Sequence, residues 1–267
     1  MKIATECICC GSKELDSWKA EVMPFVAWRT FAQLYEYGGD FDEDRKCHSL
    51  RCRDCGVTFL DWRYSDNEIS RLYDGYRNEE YVASREMFEP GYRMRQLGFS
   101  GRLHYIPQVE EFLLPFLSPD NIVTDWGTDN GYYAPHYLIL DWGGGSGINT
   151  PFRETSADVF DISGVQPEYG RLIDKPGKYD LIVFANVIEH TPDPARELER
   201  IKKHMRGVLY IEVSLDNATD KKRWHEHINL FTEKSLIELV TRCKLNIVDM
   251  KLLNSPPYHP FLMAVKL

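Results

Sequence analysis

The sequence predicts an α/β protein with a mostly parallel sheet, and three observations predict it. Beyond Ser118, short apolar runs alternate with helical stretches, the pattern of strands joined by crossover helices. One run, Leu138-Ile139-Leu140-Asp141, enters a glycine-rich turn. Six of the seven cysteines crowd into the first 55 residues, which sets a small separate module ahead of the sheet.

A chain of 267 residues buries a core without disulfides and accommodates one large domain beside a small one. Acidic residues outnumber basic ones, 41 against 32, for a net charge of −9. That balance disfavours nucleic-acid phosphates and anionic membranes and favours a small-molecule partner. No apolar run approaches the roughly 20 residues that span a bilayer. The start Met1-Lys2-Ile3-Ala4-Thr5-Glu6 lacks the apolar stretch of a secretory leader, so a cytoplasmic protein is expected.

Residues 1–62 read as a cysteine-rich, loop-like module with short strands such as Gly56-Val57-Thr58-Phe59-Leu60. Residues 63–118 turn helical, with a capped start at Asp66-Asn67-Glu68-Ile69 and apolar residues at helical spacing from Val109 to Phe116. This connector is expected to cover a cleft. Residues 119–267 carry the sheet, with strands at Tyr137 to Asp141, Ala157 to Asp161, Leu181 to Ala185 and Val208 to Val213. Two more are expected at Asn246 to Leu252 and Phe261 to Lys266, and helices at Asp193 to His204 and Thr232 to Cys243.

Cys7-Ile8-Cys9-Cys10-Gly11 and Cys52-Arg53-Asp54-Cys55-Gly56 each hold Cys-x-x-Cys followed by glycine. Tetrahedral zinc takes four such ligands, and two matched turns each aim a pair of sulfurs at one ion. Cys7, Cys10, Cys52 and Cys55 are the expected ligands, with Cys9, Cys47 and His48 as alternatives. Four protein ligands leave no open position, so the zinc is structural. Cys243 reads as a small buried apolar residue.

In Asp141-Trp142-Gly143-Gly144-Gly145-Ser146-Gly147 the glycines let the backbone bend sharply and approach a ligand closely. Twenty positions beyond Asp141 a second apolar strand ends in Asp161, whose carboxylate suits both hydroxyls of an adenosine ribose. The same features occur in domains that bind nicotinamide dinucleotides, so an NAD-dependent nucleotide-sugar enzyme stands as one alternative reading. A non-catalytic zinc and Rossmann-like binding module is another. The partly similar stretch Asp125-Trp126-Gly127 reads as an excursion before the first strand.

The turn Asp-x-Gly-x-Gly-x-Gly resembles motif I of the class I S-adenosylmethionine-dependent methyltransferases. The resemblance continues through Asp158-Val159-Phe160-Asp161-Ile162-Ser163 and through Tyr179-Asp180-Leu181-Ile182-Val183-Phe184-Ala185-Asn186-Val187-Ile188-Glu189-His190. It implies a Rossmann-like sheet, mostly parallel with an antiparallel last strand, and S-adenosylmethionine as methyl donor. It places Gly143, Gly144 and Gly145 against the donor's methionine part and Asp161 on its ribose. Ala185, Asn186 and Val187 would line the donor near the methyl, with Asp141, Trp142 and Ile162 in the same site.

An acceptor of a methyl group must lose a proton, and a histidine steadied by a carboxylate suits that task. His225, Glu226 and His227 in Trp224-His225-Glu226-His227 and His190 fall at the carboxyl edge of the sheet, where ligands bind. Module and loop together resemble bacterial sugar methyltransferases with an N-terminal zinc-binding domain, including deoxysugar C-methyltransferases and capsule-associated enzymes. In that family a Tyr-x-Glu-His segment serves a nucleotide-linked ketosugar; here Trp224 stands at the tyrosine position. O-methylation of a sugar, nucleotide-linked sugar or capsule precursor is therefore expected, with a His/Glu general base and carbon methylation as the alternative. Tyr73, Tyr76, Arg77, Tyr81, Arg85, Tyr92 and Arg95 offer aromatic faces and guanidinium groups for the acceptor, with Tyr76, Arg77, Tyr81 and Arg85 the expected contacts.

Overall fold

The computed structural model describes residues 1–35, 45–96, 103–117, 137–144, 147, 150–152, 157–256 and 259–267. The 125–131 stretch and Gly145 lie outside these residues. In chain order the cysteine-rich part contributes β1 (Lys2–Ile3), β2 (Leu15–Val22), α1 (Pro24–Tyr35), β3 (Lys46–Cys52), β4 (Thr58–Leu60) and β5 (Trp62–Arg63). The connector contributes α2 (Asp66–Tyr73), α3 (Glu79–Phe88), α4 (Tyr92–Gln96) and α5 (Ile106–Leu113). The first part of the sheet region holds β6 (Ile139–Trp142), β7 (Asp158–Phe160), β8 (Arg171–Leu172), β9 (Tyr179–Ala185), α6 (Pro194–Lys202) and β10 (Met205–Ser214). Then follow β11 (Arg223–Trp224), β12 (Asn229–Leu230), α7 (Glu233–Arg242), β13 (Asn246–Leu252) and β14 (Pro260–Lys266).

Seven strands form the main sheet in the order β13-β14-β10-β9-β6-β7-β8. Strands β6 to β10 run parallel, while β14 lies antiparallel between β10 and β13. The order reverses between β6 and β9, so the loops leaving these strands part and open a crevice at the carboxyl edge. The expected mostly parallel sheet with a late antiparallel strand is the one observed. The short strands β8, β11 and β12 carry too few residues to show a period in the sequence.

Alternation along each strand divides the apolar side chains between two faces. Ile182, Phe184, Leu209, Ile211, Met263 and Val265 face α6 and α7. Leu181, Val183, Val208, Tyr210, Leu262 and Ala264 pack with Val109, Phe112 and Leu113 of α5. The first of these cores continues into the cysteine module through Cys7, Cys52, Cys55, Val57 and Phe59. Sheet and module therefore share one dry interior.

A second, five-stranded sheet has the order β11-β2-β3-β4-β12, so its two outer strands come from residues 223–230. Trp224 pairs with Val22 and is fully buried, its Nε1 donating to Ser49 Oγ at 2.7 Å. Among the described residues no helix is long and apolar enough to cross a membrane.

Helix caps explain where the helices begin. Ser65 and Glu68 form a reciprocal capping box on α2, and Thr232 and Ser235 do the same on α7. Thr232 Oγ1 additionally donates to Cys55 O at 2.9 Å, which fastens α7 to the second cysteine turn. Thr232→Ala removes both contacts and is expected to lower unfolding stability by about 1–2 kcal/mol, measured from urea denaturation curves of the two proteins.

Candidate active site

The turn after β6 is a surface of bare main chain. Gly143 and Gly147 adopt left-handed φ values of 80° and 69°, which favour glycine. A β-carbon on Gly144 would lie 2.1 Å from Asp141 Oδ1, and one on Gly143 2.8 Å from Val187 Cγ1. Gly143 N donates to Phe160 O at 2.8 Å and holds the turn beside β7. Asp141 is fully buried beneath it and accepts from Thr150 Oγ1 at 2.9 Å through Oδ2. Its Oδ1 has no well-formed hydrogen bond among the described residues. Burial raises this carboxyl to a pKa of about 7, the Thr150 bond opposing the shift and the Asp161 charge adding to it.

Asp161 stands half-buried at the tip of β7, where Oδ1 accepts from Ser163 N at 2.7 Å. The next side chain, Ile162, is 53% exposed. Across the crevice Asn186 takes a φ of 56° at the end of β9. Glu212 imposes that conformation: Asn186 donates its backbone N at 2.8 Å to Glu212 O and its Nδ2 at 2.6 Å to Glu212 Oε1. Tyr105 and Tyr210 hydroxyls donate to the same buried carboxylate at 2.7 and 2.6 Å. Burial and the Glu212 charge push the Tyr210 hydroxyl far above its usual pKa, so it stays protonated as a donor.

Directly after Val187 the chain makes a single 3₁₀ turn, Ile188–His190. The loop between β11 and β12 lies on it: Ile228 N donates to Glu189 O at 2.9 Å, and Asn229 Nδ2 donates to Ile188 O and Thr191 O at 3.1 and 2.8 Å. Arg63 ties in β5, donating to Leu60 O, Pro192 O and Asn229 Oδ1 at 2.7–2.8 Å. This clamp brings His190 and His227 together, with ring centroids 4.6 Å apart and planes near perpendicular. His190 Nδ1 lies 2.8 Å from the Tyr73 hydroxyl and 3.1 Å from Glu226 O, and His190 Nε2 lies 4.0 Å from Glu189 Oε1.

Glu226 points the other way, to a buried network on α3. Both of its carboxylate oxygens accept from Arg85, whose Nε also donates to Glu89 Oε2 at 3.1 Å. His225 Nδ1 is 3.7 Å from Glu89 Oε1. Burial works against ionisation of Glu226, but the Arg85 charge and hydrogen bonds outweigh it and hold the carboxyl below its usual range.

The cysteine turns face each other as a pair. Cys7 Sγ is 3.5 Å from Cys55 Sγ, Cys10 Sγ is 3.6 Å from Cys52 Sγ, and all four sulfurs lie within 4.8 Å of one another. Gly11 N donates to Cys7 O and Gly56 N to Cys52 O, each at 3.0 Å and each glycine at positive φ. Hydrogen bonds from Cys55 and then Cys9 pull the Cys7 thiol well below its ordinary pKa, against the effect of burial. Cys9 and Cys47 are buried outside this quartet, Cys47 in the core beneath Trp224 and Trp62. His48, the other alternative ligand, lies 3.4 Å from Asp61 Oδ2 instead.

A family model described as a methyltransferase domain matches residues 101–249, more than half of the chain. The chain belongs to that family. It is an S-adenosylmethionine-dependent methyltransferase. Among solved structures it is similar to 1,6-didemethyltoxoflavin-N1-methyltransferase of Burkholderia thailandensis, at 17% identity over 81% of this chain and 94% of that one, TM-score 0.49. It is also similar to magnesium protoporphyrin IX methyltransferase of Synechocystis PCC 6803, at 10% identity over 70% and 99% of the two chains, TM-score 0.46. No curated protein matches it.

In the methyltransferase the turn after β6 leaves space that a β-carbon on Gly143 or Gly144 would fill, with the Asp141 carboxyl buried beneath it. Gly143 and Gly144 follow β6, Asp161 and Ile162 follow β7, and Ala185, Asn186 and Val187 end or follow β9, so all seven stand at the carboxyl edge of these parallel strands. Three sequence expectations need correction. The Trp142 ring is buried under α6, donating to Glu197 Oε1 at 2.7 Å, so only its main chain borders the turn. Tyr81 and Arg85 are buried rather than presented to an acceptor, Tyr81 edge-on to Phe25 and Arg85 within its carboxylate pair; Tyr76 and Arg77 are half-buried, the guanidinium 4.8 Å over the ring. Glu226, locked by Arg85, is a positioning anion and not a free base. The sequence reading missed Glu212, Tyr105 and Arg63, and it took Tyr73 for an acceptor contact where its hydroxyl lies 2.8 Å from His190 Nδ1. Glu212 alone carried a signal, as a charge inside the apolar run Val208 to Val213.

An ordinary aspartate ionises near pH 4, whereas buried Asp141 does so near pH 7. Between those values only the unfolded chain sheds this proton, so the group destabilises the fold increasingly as pH rises and levels off above about 7. Asp141→Asn is expected to gain stability relative to the parent protein over that interval, read from the difference in urea midpoints at pH values from about 4.5 to 8.

Proposed function

We propose that the enzyme methylates an oxygen of a sugar, a nucleotide-linked sugar or a related capsule precursor, at the histidine cluster of Glu189, His190 and His227. The observation that carries this reading is their position. His190 ends the 3₁₀ turn that follows Asn186 and Val187, the residues we assign to the methyl end of the donor pocket, and the clamp of Asn229 and Arg63 brings His227 to within 4.6 Å of it, ring centre to ring centre. When bound, S-adenosylmethionine supplies a methyl carbon activated by a sulfonium.

The chain's own residues then have three tasks. Gly143 and Gly144 let the main chain approach the donor's methionine part over Asp141, and Asp161 accepts from the ribose hydroxyls. Asn186, held by Glu212, lines the methyl end and fixes the angle of in-line attack. The histidine cluster binds the acceptor hydroxyl and promotes loss of its proton as the oxygen–carbon bond forms and the sulfur–carbon bond breaks. Trp224, buried with its Nε1 spent on Ser49, offers no proton-handling group, which favours oxygen over carbon as acceptor.

Residues 63–118 serve as cap, Tyr76 and Arg77 presenting a stacked ring and guanidinium for the sugar or its phosphate. Residues 1–62 form a structural zinc module, and residues 119–267 the catalytic domain. The sulfur separations of 3.5 and 3.6 Å suit one tetrahedral ion with zinc–sulfur bonds of about 2.3 Å.

Two outcomes test the reading. Asp161→Ala is expected to keep its far-ultraviolet circular dichroism while losing at least about tenfold in affinity for S-adenosylhomocysteine by calorimetry, the loss of a bidentate carboxylate contact. Unchanged affinity would remove Asp161 from the site. Metal analysis is expected to find about one zinc per chain after purification; folded protein without zinc would overturn the cysteine assignment. Labelled S-adenosylmethionine incubated with nucleotide-linked sugars then identifies the product.

A further inference from the structure

We propose that Glu189, His190 and His227 hold a divalent transition-metal ion that binds the acceptor's oxygen, a second metal site separate from the four cysteines. The inference rests on the proposed methyl transfer for its role, but its geometry stands alone. One carboxylate oxygen and one nitrogen from each imidazole lie within 4.8 Å of one another, with His190 Nε2 4.0 Å from Glu189 Oε1. Metal bonds of about 2.0–2.2 Å put neighbouring ligands about 3 to 3.5 Å apart. A closure of about 1 Å therefore suffices, and His227 is exposed enough to make it by side-chain rotation.

The orientation of His190 is a second, independent observation. Its Nδ1 lies 3.1 Å from Glu226 O, and in the tautomer we assign, Nδ1–H donates to that carbonyl. That tautomer leaves the Nε2 lone pair on the side of Glu189, 4.0 Å from its Oε1. Metal-bound histidines are held this way, the far ring nitrogen donating to a carbonyl that sets tautomer and ring angle. The Tyr73 hydroxyl, 2.8 Å from the same Nδ1, steadies the ring further.

The backbone beneath the ligands is already fixed. Glu189 and His190 share a 3₁₀ turn whose carbonyls accept from Ile228 N and Asn229 Nδ2, and His227 precedes these two donors in sequence. The nearby Glu226 carboxylate is taken up by Arg85, so it neutralises that guanidinium and does not compete for the ion.

Two imidazoles and one carboxylate select zinc, iron, cobalt, nickel or manganese over magnesium and calcium. Three protein ligands also leave positions open, unlike the cysteine quartet. An acceptor hydroxyl on such an ion loses its proton to solvent water more readily, and the oxygen then attacks the methyl carbon as the sulfur–carbon bond breaks. Acceptors with a second oxygen adjacent to the reacting hydroxyl, as in a sugar diol, would occupy two positions at once.

The test is a cobalt(II) titration of the full chain with its cysteine site filled, followed by visible absorption and calorimetry, with S-adenosylhomocysteine binding measured in parallel. One further cobalt per chain is expected, giving d–d bands without the near-ultraviolet charge-transfer band of thiolate ligation. His227→Ala and Glu189→Gln are each expected to weaken that binding at least about tenfold while leaving S-adenosylhomocysteine affinity unchanged. Protein that binds S-adenosylhomocysteine but takes up no cobalt, or binds it equally in both variants, overturns the site. Cobalt uptake lost in the variants, in protein without affinity for S-adenosylhomocysteine, would instead sink the donor reading and leave the site standing.

Discussion

The structure depends on the return of residues 223–231 to the beginning of the chain. By pairing β11 with β2 and β12 with β4, this loop completes the five-stranded sheet and is itself held at both ends. Backbone groups taken from water must find partners, and here the partners are supplied by segments over 160 residues away in sequence. Asn229 and Arg63 then carry the same constraint into the 3₁₀ turn after β9. The loop is thereby held by hydrogen bonds against the 3₁₀ turn at the carboxyl end of β9.

Buried carboxylates in this enzyme are held in different ways. Glu226 and Glu89 share Arg85 and stay ionised. Glu212 collects two phenol hydroxyls and the Asn186 amide, enough donors to offset the loss of water. Asp141 accepts from the Thr150 side chain, but burial outweighs that bond and raises its pKa to about 7. The contrast follows from what surrounds each group. It separates carboxylates that hold the framework from the one beneath the glycine turn that is able to change charge near neutral pH.

The cysteine quartet contributes to the same framework. Its second turn accepts from Thr232 at the cap of α7, and Arg242 at the other end of that helix donates to Cys9 O at 3.0 Å. The helix that covers one face of the main sheet is thus fastened at both ends to the N-terminal module. Apolar residues of module, helix and sheet fall in one continuous core, so displacement of either part would expose the interior of the other.

The sequence by itself determined the elements whose signals are local. Apolar runs of strand length gave the six longer strands of the sheet, helical spacing gave α2 and α7, and the two Cys-x-x-Cys-Gly turns gave the quartet. The glycine turn and Asp161 were legible because close backbone approach restricts residue type at those positions. What only the tertiary structure decided was which side chains meet. Arg85 and Tyr81 looked like acceptor contacts, yet packing of α3 against Phe25 and the histidine loop buries them. Tyr73 reaches His190 across 117 positions, Arg63 reaches Asn229 across 166, and Glu212 gathers Tyr105 from another helical segment. Such pairings leave no period or spacing in the chain, because long-range contacts are fixed by how faces pack and not by the residues next in sequence.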